Sequence, residues 1–305
     1  MVSYKEIKAS NALLNDATAP RVAVFVGGTS GIGKFTIKAL VSTGASVRIY
    51  LVGRKSSEEG ARAFIQELHA INPKAEVVRT EGEVSLLAET KRLCEVIKSK
   101  ESRVDLLFLT AGYAPFGTRK ETADGEASKV VSVLAGGLER ATIELDELDL
   151  KKPGNFGGVK VQWQYGATNT TTLEMLANEN PDVTFIHSWP GAVNTGNVWR
   201  GTDPNSIMSW VVWLLLEPLI GLVGFSDEES GQRHLFQSTS AAFGGRGVPW
   251  KCKPGVNSLE KQANGLFLVI NKCDCTPNAK VMPLQREKAQ GKIWDHTQEV
   301  LQPYL

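Results

Sequence analysis

The sequence predicts an α/β protein built on a doubly wound parallel sheet, and three observations lead there. Short runs apolar on both sides alternate with segments of helical periodicity. The first of these runs opens directly into a glycine-rich turn ahead of a helix. The composition is globular, with 305 residues, 42% of them hydrophobic, and 34 Lys+Arg against 33 Asp+Glu for a net charge of +1. One domain accommodates this, with a core at about 20–198 and 260–305 and a small apolar helical lid at about 199–259.

The elements follow in order. Residues 1–20 read as a polar lead-in ending at Pro20. Val22–Val26 is a continuous apolar strand, Gly27-Gly-Thr-Ser-Gly-Ile-Gly33 a turn, and Lys34–Thr43 a helix. Ser46–Val52 is a second strand, and Ser56 with Glu59 spells a capping box before a helix that Asn72-Pro73 stops. Ala75–Arg79 is a third strand, and Leu86, Leu93 and Ile97 mark one face of a helix between Ser85 and Lys100. Val104–Thr110, Lys129–Leu134, Val183–His187 and Gly265–Ile270 complete the strands, and Thr168–Asn178 reads as a helix.

A glycine turn between the first strand and first helix converges backbone N–H groups and the positive helix end on one point, and a dinucleotide diphosphate is the natural occupant. After the second strand comes Gly53-Arg54-Lys55, with no carboxylate before Glu58. Cations there suit a 2′-phosphate, so NADP is expected over NAD. The balanced charge and the lack of any Lys/Arg stripe exclude nucleic acid as a partner class. Cysteines at 94, 252, 273 and 275 are too few and too irregular for a disulfide framework or zinc site, and Lys5, Glu6 and Lys8 interrupt any secretory h-region. A reducing, cytoplasmic setting fits. The histidines are scattered, so no metal is expected, with His187 in a strand core and Cys273-Asp-Cys275 in a surface loop after a strand.

Together, Val26-Gly-Gly-Thr-Ser-Gly-Ile-Gly33, Gly53-Arg54, Glu83-Val-Ser85, Thr110-Ala-Gly112 and Pro190-Gly-Ala-Val-Asn-Thr195 resemble the short-chain dehydrogenase/reductase family, in family order over about residues 21–196. The C-terminal third is similar to members from filamentous fungi. The resemblance implies a Rossmann fold and NADP held by Gly27, Thr29, Ser30, Gly31, Ile32 and Gly33 at the pyrophosphate and Arg54 at the 2′-phosphate. Glu83 and Val84 would lie by the adenine, Ala111 and Gly112 by the nicotinamide ribose, and Pro190, Val193 and Thr195 by the carboxamide.

The family's catalytic Tyr-x-x-x-Lys has its nearest match in Tyr165-Gly-Ala-Thr-Asn169, with Asn in place of the ammonium. Tyr165 is the candidate acid, its pKa then expected near the ordinary value of about 10, with Asn169 beside it and Ser132 the candidate carbonyl-polarising hydroxyl. The family's serine could equally align with Val133 or Leu134, and a one-residue shift on a strand reverses the face of a side chain. Only sixteen residues separate Gly112 from Lys129, too few for the family's long covering helix. The sheet there is bare, covered by a partner or the lobe, or the chain has lost a segment.

Residues 207–225 are strongly apolar but broken by Glu217-Pro218. They read as a lid over a hydrophobic small-molecule substrate, with peripheral membrane contact as the rival. The expected activity is NADP-dependent interconversion of a ketone and a secondary alcohol, in secondary metabolism. The alternative is a cofactor-binding relative that has lost redox chemistry.

Overall fold

A computed structural model describes residues 2–111, 130–152, 158–195, 220–221, 224–244 and 247–304. The apolar runs pair into one seven-stranded sheet, all parallel. Its strands are β1 (Val22–Val26), β2 (Arg48–Gly53), β3 (Glu76–Glu81), β4 (Leu106–Leu109), β5 (Val130–Val133), β6 (Phe185–Ser188) and β7 (Leu266–Val269). The spatial order is β3-β2-β1-β4-β5-β6-β7. Strand order reverses between β1 and β4, so a crevice forms beyond their carboxyl ends.

The helices are α1 (Tyr4–Asn11), α2 (Gly31–Val41), α3 (Glu58–Ile71), α4 (Leu87–Lys98), α5 (Gly158–Glu179), α6 (Asp227–Thr239), α7 (Met282–Lys288) and α8 (Gln290–Leu301). Both sheet faces are covered. Phe25, Ile37, Leu51, Phe64, Phe108 and Phe236 fill the core on the side of α2, α3 and α6, and Val24, Tyr50, Leu93, Leu107 and Leu173 that on the side of α4 and α5. Burial on both faces is why the strands carry no alternation of polar residues.

Several expectations need correction. The lead-in contains α1, closed by a Ser3/Glu6 capping box, and Ile7, Leu14 and Ala19 belong to the core. Helix α1 docks on α6, where Asn11 Nδ2 donates to the Gln232 carbonyl at 2.8 Å. The Ser56/Glu59 capping box does not form; a 3-10 turn at Lys55–Ser57 precedes α3, and the Ser57 hydroxyl donates to Arg54 O at 2.7 Å. Helix α5 begins about two turns ahead of Tyr165, well before the expected Thr168. The segment assigned to a lid is partly body, since α6 packs along α2 with Leu235 and Phe236 fully buried. Most of the 207–225 stretch lies outside the described residues.

The Cys273-Asp-Cys275 loop is only partly at the surface, with Asp274 and Cys275 half-buried. Cys273 is buried beside Gln237 and the Arg233 carbonyl, and burial pushes its thiol up to about 11 and that of Cys275 to about 12. Helix α8 packs along α5, and the 3-10 turn Gln302–Tyr304 that ends it meets α4. Ile293 and Leu301 are buried there. The two helices flanking the short β4–β5 connection are thus bridged by α8.

Candidate active site and nucleotide cleft

The turn after β1 has a backbone that only glycine can follow. Gly27 has φ +94°, and a Cβ on it would stand 2.6 Å from Ala111 N. A Cβ on Gly33 would meet Gly27 O at 2.7 Å and Thr110 Oγ1 at 2.9 Å. The turn is therefore pressed on the end of β4, where the Thr110 hydroxyl donates to Gly27 O at 3.2 Å. Gly31 (φ +57°) starts α2 and faces Thr195, whose Cβ would lie 3.0 Å from a Gly31 side chain. Thr29 leans on the end of β2, since a Cβ on Gly53 would meet its Cγ2 at 2.8 Å.

The chemistry of this turn suits an anion. Ser30 at the N-cap makes no side-chain cap, and the first turn of α2 carries no acidic residue. Its leading amides and the helix dipole keep their demand for negative charge. Gly27, Thr29, Ser30, Gly31 and Ile32 are half-buried, and Gly28 and Gly33 are buried. Arg54 is exposed one residue beyond β2. Glu83 and Val84 follow β3, half-buried, and Ala111 follows β4, exposed. Gly112 lies outside the described residues.

Across the crevice, the segment after β6 is fixed by its backbone. Trp189 N donates to Val269 O at 2.9 Å, Phe225 N to Ala192 O at 2.9 Å, and Val193 bridges Phe225. Pro190, Val193 and Thr195 are half-buried on this segment. The turns at 27–33, 53–54, 110–111 and 190–195 thus share the carboxyl edge of the sheet, and a diphosphate-linked dinucleotide fits their missing side chains and open amides.

Of the three catalytic candidates, two meet. Ser132 on β5 lies in register with Leu109 and His187, and Asn169 Nδ2 donates to its Oγ at 3.0 Å. The Ser132 hydroxyl therefore faces α5. Tyr165, one turn earlier on α5, donates its hydroxyl to the Asp149 carbonyl at 3.2 Å. The Asp149 carboxylate meets His296 Nε2 at 3.0 Å and Lys151; burial raises its pKa, but the hydrogen bonds from Lys151 and His296 outweigh this and hold it below its ordinary range.

Sequence reasoning missed the network behind this pair. His187 is fully buried; Ala135 N donates to its Nε2 at 3.1 Å, which places the ring proton on Nδ1, 2.6 Å from Thr170 Oγ1. The Thr170 hydroxyl in turn donates to Glu139 Oε1 at 2.8 Å, and Asn278 Nδ2 donates to Oε2 at 3.1 Å. Burial pushes His187 down to about 3, so it stays neutral. The signal available was a Thr one residue past Asn169 and a His in an otherwise apolar strand. Among the described residues, no group of three or more His, Cys, Asp or Glu is placed to hold a metal, and no helix is long and apolar enough to cross a membrane.

Comparison with known proteins agrees with this geometry. The short chain dehydrogenase family profile matches residues 21–155. An oxidoreductase of Emericella nidulans is 32% identical over 339 aligned positions, covering 99% of this chain and 98% of its own. Oxidoreductase andH of Emericella variicolor is 30% identical, covering 99% and 97%. The first alignment is longer than this 305-residue chain, so that relative carries residues this one lacks. A solved protein of Mycobacterium paratuberculosis shares the fold at TM-score 0.56 and 15% identity, covering 96% of this chain and 97% of its own. The chain belongs to the short-chain dehydrogenase/reductase family, whose members are oxidoreductases acting on CH–OH groups.

Proposed function

We propose that the protein is an NADP-dependent oxidoreductase that interconverts a ketone and a secondary alcohol on a hydrophobic small molecule, in the cytoplasm and in secondary metabolism. The observation that carries this reading is the uncapped glycine cradle at the strand-order reversal, with Arg54 rather than a carboxylate after β2. When bound, the nicotinamide supplies or accepts the hydride. The amides of 27–33 hold the diphosphate, Arg54 binds the 2′-phosphate, and Pro190, Val193 and Thr195 orient the carboxamide.

Asn169 occupies an acceptor position of the Ser132 hydroxyl, so the Ser132 proton is free to turn toward a substrate oxygen and stabilise negative charge there. Tyr165 delivers the proton after exchanging the Asp149 carbonyl for that oxygen.

The test is a fluorescence titration with NADPH and with NADH, followed by a ketone panel monitored by NADPH consumption. NADPH is expected to bind more tightly. Gly31→Trp, which drives an indole into Thr195, should abolish binding; a variant binding as well as the parent would sink the cleft. Tyr165→Phe should remove most of the turnover.

A second reading is favoured by one observation: the Tyr165 hydroxyl is turned to Asp149 and Asn169 offers no charge. It is a nucleotide-binding protein without redox activity. NADPH binding with no turnover on any ketone, unchanged in Asn169→Lys, would select it.

A further inference from the structure

Arg79 sits where an aliphatic side chain would serve the fold. It lies on the edge strand β3, in register with Leu51 and two residues from Val77, which packs on the core beside α3. Its side chain is only 19% exposed, and its Nε is buried with no hydrogen-bond partner. Desolvating a guanidinium is costly, and its ion pair, both Nη atoms 3.2 Å from Oε2 of the half-exposed Glu81, returns little. Stability alone does not account for a cation at this position.

Its placement does. Nη2 donates to Arg54 O at 3.4 Å, so the guanidinium lies directly beneath the turn whose exposed side chain follows β2. Glu81 is in register with Gly53, which puts a carboxylate at the same strand end. Unpaired, that carboxylate would repel a phosphate, whereas Arg79 neutralises it and brings a second forked donor to the same place. Resting on the NADP reading above, we infer that Arg79 is a specificity-determining residue, a second cation that acts with Arg54 to select the 2′-phosphate. A planar guanidinium, whose two Nη atoms are held only at 3.2 Å by Glu81, is suited to a doubly charged phosphate in a way that a lysine here would not be.

The experiment measures dissociation constants for NADPH and NADH by fluorescence, with 2′,5′-ADP and 5′-AMP as competitors, for the parent, Arg79→Met and Glu81→Gln. Arg79→Met should weaken NADPH roughly ten-fold and leave NADH within about two-fold, and the advantage of 2′,5′-ADP over 5′-AMP should shrink in step. Glu81→Gln, which frees Arg79 from its counter-ion without emptying the site, should tighten NADPH and 2′,5′-ADP but not NADH. It decides alone if Arg79→Met does not fold by circular dichroism. Equal weakening of both dinucleotides in Arg79→Met, or an undiminished NADPH preference, overturns the role of Arg79 and leaves the NADP reading standing. An unchanged Glu81→Gln, when it is the only folded variant, does the same. A parent that binds neither nucleotide, or both alike, overturns the two together.

Discussion

His187 and His234 are both held neutral by burial, at about 3 and about 4 against an ordinary value of 6.5. Each is the depressed case: the unfolded chain takes up a proton near pH 6.5 that the folded protein refuses. Stability should be full above that pH and fall as pH drops toward 4, by up to about 1.4 kcal/mol per pH unit for each ring. Urea unfolding at pH 7 and pH 5 checks this, and His234→Phe, which keeps the edge contact with Phe108, should flatten the slope. Thr170→Val removes the hydroxyl joining His187 to Glu139 and should cost roughly 1–3 kcal/mol in the same measurement, because buried partners are left unmet. Asn169→Lys belongs to this scale too. An ammonium one turn from Tyr165 would lower the phenol's pKa, so turnover at neutral pH should rise and its pH profile move to lower pH; an unchanged profile would show that Tyr165 is not the acid. The glycine turn was readable from sequence because its residues are dictated by their own backbone and close neighbours, as at Gly27 and Gly33. Ser132 was not settled there, because its facing depends on pairing with β4 and β6, set by residues far away in the chain.

At the level of elements, the first four strands stand within about two residues of where the sequence placed them, since β1, β2 and β4 are covered on both faces and written almost wholly in apolar residues, and only the edge strand β3 mixes in Arg79 and Thr80. Helix α1 escaped notice because it is short and largely polar, and its burial comes from docking on α6, some two hundred residues later. The early turns of α5 escaped for a related reason. Its threonines and weak amphipathicity understate a helix held by partners such as Glu174, which accepts from Arg286 at 2.7 and 2.9 Å and from Ser258. Helix α8 gave no local sign of its packing along α5. Ile293→Ala, emptying a fully buried site on it, should destabilise the protein by roughly 2–5 kcal/mol in urea. A loss under 1 kcal/mol would mean that α8 is not structural cover.

For the whole molecule, the expected doubly wound architecture and its strand order give the cleft its position without any residue being invoked. The chain closes α5 from its far end, because α8, more than a hundred residues later, packs along it. That solution has a consequence for biogenesis. The partner that shields α5 emerges from the ribosome long after α5 itself, and α1 must wait equally long for α6. Nascent intermediates therefore display greasy helix flanks that only the final stretch of synthesis conceals, a natural window for chaperone capture.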